Sequence, residues 1–146
     1  MNPELQGRAF APTAPYLVGR EKVREFSRAV FATNPINTDT DAAIAAGYAD
    51  VVAPPTFAIV IQQFTLDQLV STEDSGIDMT HIVHGEQRFS YTRPIVAGDE
   101  LTATLAVTGI KSLGGNAMVT AETTISDLAG ETVVTATSVL VVRAEA

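Results

Sequence analysis

The chain of 146 residues contains no cysteine, only two histidines and few charges for its length. Without cysteine there is no disulfide, no thiolate nucleophile and no thiolate metal site. His81 and His84 are the only imidazoles. No carboxylate cluster accompanies them at the usual ligand spacings, so no metal and no cofactor are expected. Charged residues make up 18% of the chain, and 17 acidic side chains against 9 basic ones leave a net charge of −8. Phosphates would repel such a chain, which argues against nucleic acid and anionic membrane surfaces, although a few local cations can still hold an anionic ligand. The opening MNPELQGRAFAP has no basic stretch followed by an apolar one, so no export signal is expected. The longest apolar run, Val51 to Ile61, holds two prolines and is too short to span a bilayer. A cytoplasmic protein is the resulting expectation.

What is present is enough for a core. Hydrophobic residues make up 46%, and the length suits one domain over residues 1–146. Residues 1–19 are rich in Pro, Gly and Ala and read as an extended lead-in. From Arg20 the pattern turns helical, with Val23, Phe26, Val30 and Phe31 near one face. That helix should stop before Asn34-Pro35, because a residue preceding proline is pushed out of the α region. Asp39 or Thr40 suits the cap of a short helix, Asp41 to Ala46, with Gly47 as its stop. Pro54-Pro55 suits the entrance of a longer helix. Beyond it Phe57, Ile59, Val60, Ile61, Phe64, Leu66, Leu69 and Val70 surround most of the axis, the pattern of a buried helix. Residues 71–76 read as a loop.

The second half has period two. Leu101, Ala103, Leu105 and Val107 alternate with threonines, and Ala117, Val119, Ala121 and Ile125 alternate with Met118, Thr120, Glu122 and Thr124. Thr132 to Arg143 and Ile82 to Thr92 supply two more strands, with turns at Gly114-Gly115-Asn116 and Ala129-Gly130-Glu131. Helices followed by long antiparallel strands, with one helix too apolar for a surface, give an α+β fold. A curved antiparallel sheet wraps around the apolar central helix, the hot-dog arrangement. Exposed strands of so small a sheet invite pairing with a second subunit.

The stretch FATNPINTDTDAAIAAGYADVVAPPTF, from Phe31 to Phe57, resembles the active-site segment of the MaoC-like, FAS1-like (UPF0336-type) hydratase/dehydratase family. That segment reads Asp-x-Asn-Pro-x-His-x-Asp, then Ala-x-x-x-Gly, then Ile-Ala-His-Gly at the start of the central helix. Asn34-Pro35, Asp39, Ala43 to Gly47 and Val52-Ala53 match it. The departures fall on the chemistry. Ala32 stands for the catalytic Asp, Asn37 for the catalytic His, and Pro54-Pro55 for His-Gly. Water addition to an enoyl thioester needs a carboxylate and an imidazole to grip the water, and a donor for the thioester oxygen. Alanine is no base, asparagine does not titrate, and Pro55 has no N–H. A second stretch, HIVHGEQRFSYTRPIVAGDELTATLAV, looks like the N-terminal half of two-domain hydratases. It also looks like the non-catalytic subunit of actinobacterial (3R)-hydroxyacyl-ACP dehydratases.

The resemblance implies a division of labour. This chain would hold an acyl thioester on CoA or ACP, as a heterodimer with a catalytic MaoC-like subunit or as a homodimer. The positions it assigns to substrate binding are Asn34, Asn37, Tyr48, Pro55, Thr56, Phe57, His84 and Gln87. Plainer roles stand beside these: Asn34-Pro35 as a helix-ending turn, Asn37 as a cap, Asp39 as an N-cap, Phe57 and Phe64 as core. Two further readings are a homodimeric acyl-binding or regulatory module, and an active hydratase or thioesterase in which His84 works with Glu86.

Overall fold

The computed structural model describes residues 1–143, and in it the sequence folds into a five-stranded antiparallel sheet curled around one long helix. In chain order the elements are β1 (Tyr16–Leu17), α1 (Arg20–Ala29), α2 (Thr40–Ala45), α3 (Ala58–Val70), β2 (Ile82–Tyr91), β3 (Glu100–Leu113), β4 (Asn116–Asp127) and β5 (Thr132–Val142). The sheet order is β1-β3-β4-β5-β2. The alternation in β3, β4 and β5 follows the expected inward and outward faces: Leu101, Ala103, Leu105, Val107, Val119, Ala121, Ile125, Val134 and Ala136 are fully buried against α3.

The lead-in is extended, and it does more than lead in. Gly7, Phe10 and Thr13 donate backbone N–H groups to Val107, Leu105 and Ala103, and Val18 donates to Asp99. With Tyr16 and Leu17 paired to Leu101 and Glu100, residues 7–18 strap the outer edge of β3. Leu5, with no exposed surface, pins the start of the strap in the core. On the far side β2 pairs with β5 alone, and no strand among the described residues covers its outer edge.

The core divides in two. Ile61, Ala103, Ile125 and Val134 belong to one apolar cluster; Leu66, Leu69, Leu105, Ala121 and Leu140 belong to another. Between them lies a belt of buried polar side chains, Gln62 and Thr65 from α3, Thr123 from β4 and Ser138 from β5. Gln62 Nε2 donates to Ser138 Oγ (2.9 Å) and Ala136 O (3.3 Å), and its Oε1 accepts from Gln87 Nε2 (2.8 Å). Ser138 Oγ donates to Gln87 Oε1 at 2.5 Å, and Thr65 meets Thr123 at 2.9 Å.

Three expectations for the helices need correction. The first concerns the apolar face of α1, a helix that stops before Asn34-Pro35 as expected and does so already at Ala29. Its stop is a Schellman turn: Ala32 N–H donates to Ser27 O, and Phe31 N–H to Arg28 O. This turn throws Val30 and Phe31 outward, so neither joins the buried face; Phe31 is 88% exposed. The same turn closes α2, where Gly47 supplies the left-handed residue at φ 96°. In α1 that residue is Phe31 at φ 57°, the one non-glycine residue with positive φ among the described residues. A left-handed L-residue costs about 1–2 kcal/mol, which glycine avoids. Phe31→Gly should therefore raise stability by roughly 1 kcal/mol in urea unfolding, and an unchanged or lower midpoint would contradict the assigned turn.

The second correction concerns α3, which starts at Ala58 and not at the proline pair. Pro54 O accepts the N–H of Phe57 in a tight turn that precedes the helix. The third is Phe64, which is 45% exposed and rests on Tyr16 with ring centroids 5.8 Å apart, at the rim of the core.

Candidate functional site

Asn34-Pro35 opens a single 3-10 turn, Pro35–Asn37, in which Asn34 Oδ1 accepts the N–H of Ile36 at 3.2 Å. Proline's fixed φ suits that first position, and the asparagine caps it. The turn delivers Asn37 to the interior, where it is 7% exposed and its Nδ2 donates to Val52 O at 2.6 Å. An amide that faces a carbonyl oxygen must present its N–H. Asn37 thus ties the 3-10 turn to the segment entering α3, and Val52 N–H returns a bond to Ile36 O. Asp39 caps α2 through Asp41 N–H at 2.9 Å and Ala42 N–H at 3.3 Å, and Gly47 sets Tyr48 beside the turn.

These elements enclose a cavity of about 520 Å³. Asn34, Ile36, Asn37 and Tyr48 line one side, Val52, Ala53 and Pro55 another, and Tyr91 to Pro94 at the end of β2 a third. Four of the sequence-derived positions, Asn34, Asn37, Tyr48 and Pro55, therefore meet in one place. The other four lie elsewhere. Thr56 is exposed on the turn before α3. Phe57 is fully buried and packs edge-on against Phe26 at 5.2 Å. His84 and Gln87 sit on β2, where they line a separate hollow of about 460 Å³ beside Ile59 and Gln63. A bulge between His84 and Glu86 shifts the register there, so that His84 pairs with Leu140 and Gln87 with Ser138. Leu140 and Ser138 are two apart and share one face of β5, so the bulge turns His84 and Gln87 to the same side.

Sequence reasoning missed Tyr91, Thr92, Arg93 and Pro94. The signal was the Tyr-Thr-Arg-Pro ending of β2, where proline stops the ladder and bends the chain towards the cavity. Tyr91 hydroxyl donates to Pro55 O at 2.5 Å, so a side chain of β2 holds the entrance of α3. Burial pushes the Tyr91 phenol up to about 12, with the backbone N–H of Ala58 acting in the opposite direction. Because the folded pKa lies above the ordinary value near 10, this stabilisation is complete below pH 10 and fades as pH rises towards 12. A phenolate titration followed at 295 nm should show one tyrosine ionising near pH 12, and Tyr91→Phe should remove it; a Tyr91→Phe spectrum that still shows the late step would refute the assignment.

Arg93 is engaged by Asp99 through bonds of 2.8 and 3.1 Å, with Asp127 at 3.8 Å. The paired carboxylate of Asp99 raises the Arg93 guanidinium above its already high value. Ala32, at the position of the family's acid, is not among the residues lining the cavity. No group of three or more His, Asp or Glu side chains suited to a metal occurs among the described residues. No helix among them is long and apolar enough to cross a membrane. As arranged, the cavity can bind and orient a ligand, and its walls offer no carboxylate–imidazole pair to move a proton.

Residues 4–136 match the family model described as FAS1-like, dehydratase domain region. A UPF0336 protein of Leifsonia xyli subsp. xyli is 61% identical over 145 residues, covering 99% of this chain and 97% of that protein. Among solved structures, the C-terminally truncated HadBC (3R-hydroxyacyl-ACP dehydratase) complex of Mycobacterium tuberculosis superposes with a TM-score of 0.86 at 30% identity. The match covers 94% of this chain and 96% of the matched one. A MaoC-like dehydratase superposes with a TM-score of 0.85 at 36% identity, over 95% of this chain and 42% of that longer one.

Proposed function

The chain belongs to the FAS1-like dehydratase family, and on that premise we propose that it is the acyl-thioester-holding subunit of a (3R)-hydroxyacyl dehydratase or hydratase, without catalytic groups of its own. The observation that carries this reading is the state of the cavity. At the position of the family's imidazole, Asn37 has its amide committed to Val52 O. At the position of the helix-entrance donor, Pro55 has no N–H, and its carbonyl is taken by Tyr91. The scaffold around these positions is intact, from the 3-10 turn to the Asp39 cap and the Gly47 stop.

In this reading the chain acts as one hot-dog domain in the cytoplasm, in fatty acid metabolism. It binds and orients the acyl thioester, on CoA or ACP, and a second hot-dog subunit contributes the aspartate and histidine. The uncovered edge of β2 is the natural seam for such a partner, with His84 and Gln87 beside it. The solved structure at 30% identity is itself that of a complex.

The test pairs the purified chain with a hot-dog subunit carrying an intact Asp-x-Asn-Pro-x-His segment. Hydration of crotonyl and octenoyl thioesters is followed by loss of enoyl absorbance. Alone, the chain should add nothing to the buffer rate; together, the pair should exceed the partner by about tenfold or more, the scale of one positioning effect. Turnover by the isolated chain that the partner does not increase would overturn the reading.

A further inference from the structure

The cavity leaves a particular set of hydrogen-bonding valences unspent. Asn37 commits its N–H to Val52 O, and no group among the described residues donates to its Oδ1. Asn34 commits its Oδ1 to Ile36 N–H, which leaves its Nδ2 as a donor. The Tyr48 hydroxyl has no partner among the described residues. The other polar walls are already engaged. Tyr91 donates to Pro55 O, Thr92 to Thr132 O at 2.5 Å, and Arg93 faces Asp99 and Asp127.

Two carboxylates around one guanidinium give that rim a net negative charge, so an anion gains nothing by approaching it. Ile36, Val52, Ala53 and Pro94 make the remaining walls apolar. A cavity of about 520 Å³ with apolar walls and a few oriented polar atoms has the build of a small-molecule site.

The unspent set is selective. Asn37 Oδ1 only accepts, so it requires an N–H or O–H from the ligand. The thioester group has neither, and a 3-hydroxyl on the acyl chain is the one competing donor. Resting on the reading that the chain holds an acyl thioester, we infer that this cavity takes a neutral secondary carboxamide on an aliphatic body, the group that recurs along the arm of carrier-borne thioesters, and not the thioester itself. The ligand N–H donates to Asn37 Oδ1, and the ligand carbonyl accepts from Asn34 Nδ2 or the Tyr48 hydroxyl. The emptied catalytic position thus becomes a grip on the arm, which leaves the reactive carbonyl for the partner.

Four probes separate the groups that matter: N-ethylhexanamide and S-ethyl hexanethioate differ only in N–H against S, S-ethyl 3-hydroxyhexanethioate adds the competing hydroxyl, and hexanoate is the anionic control. Each is titrated into the full chain and followed by ligand-observed NMR and calorimetry. The amide should bind roughly three- to tenfold tighter than the thioester, the value of one net hydrogen bond, with hexanoate weakest. Tyr48→Phe and Asn34→Ala lie outside the buried core, and each should weaken amide and thioester alike by roughly threefold, because both present a carbonyl, and leave the amide preference in place. A thioester, with or without the 3-hydroxyl, that binds as well as the amide, a preference for hexanoate, or variants that leave the amide's affinity untouched would overturn the inference. Loss of the amide preference with intact partner stimulation removes this inference alone. Intact preference without stimulation removes the dehydratase role alone.

Discussion

Gln62→Leu should destabilise the protein by about 3 kcal/mol, although leucine is the more apolar residue and the site is fully buried. The substitution removes the donor to Ser138 Oγ and Ala136 O, which stay fully buried, and the acceptor of Gln87 Nε2, which is half-buried. Each stranded buried group costs about 1–3 kcal/mol, far more than the net gain from making its bond. The gain in apolar contact offsets only part of this. Removing the partners as well should reverse most of the loss. The triple variant Gln62→Leu, Ser138→Ala, Gln87→Leu should recover to within about 1 kcal/mol of the parent, because replacing a satisfied network wholesale is nearly neutral. Urea midpoints at constant m decide the matter. A single variant no less stable than the triple would show that the belt is not a coupled network.

Phe57→Ala should be more damaging still, at about 3–5 kcal/mol, or a fall in Tm on the order of 10 °C. Phe57 has no exposed surface and sits where the turn after Pro54 becomes α3. Its ring meets Phe26 edge-on, and such pairs add about 0.5–1.5 kcal/mol to the burial itself. The space it would vacate adjoins Val51 and Ala53 in the same cluster, behind one wall of the cavity. Binding at the cavity should therefore loosen together with stability. If Phe57→Ala unfolds less than 1 kcal/mol more readily, the packing of α1 on the helix entrance is not what holds α3 in place. That threshold is about the value of a surface substitution.

The strands were the most legible part of the fold, because alternation in Leu101–Val107 and Ala117–Ile125 reports a half-buried face directly. The strap of residues 7–18 was not, since its bonds are backbone bonds to β3 and leave no mark on side-chain pattern. Gln62 and Thr65 read as ordinary polar positions of a helix. What buries them is Ser138, Gln87 and Thr123, which are distant in sequence. Phe31 misled for a local reason: helical spacing placed it with Val23, and a Schellman turn normally announces itself by a glycine. At the site, Asn34, Asn37, Tyr48 and Pro55 were legible from one contiguous motif. Tyr91 to Pro94 arrive from the far end of β2, and only the three-dimensional curl of the sheet brings them opposite Pro55.

The strap along β3 also decides how copies of this chain add together. A sheet with two bare flanks is open-ended, since every addition presents a fresh template and growth runs on into a fibre. Here residues 7–18 cover one flank from Asp99 to Val107 from within the chain, which leaves β2 as the edge open along its whole length. Once two such half-sheets meet there, the flanks that remain are strapped from Asp99 to Val107, and lateral growth is checked after a single step. The first eighteen residues thus act as a stop codon for polymerisation, written in backbone hydrogen bonds.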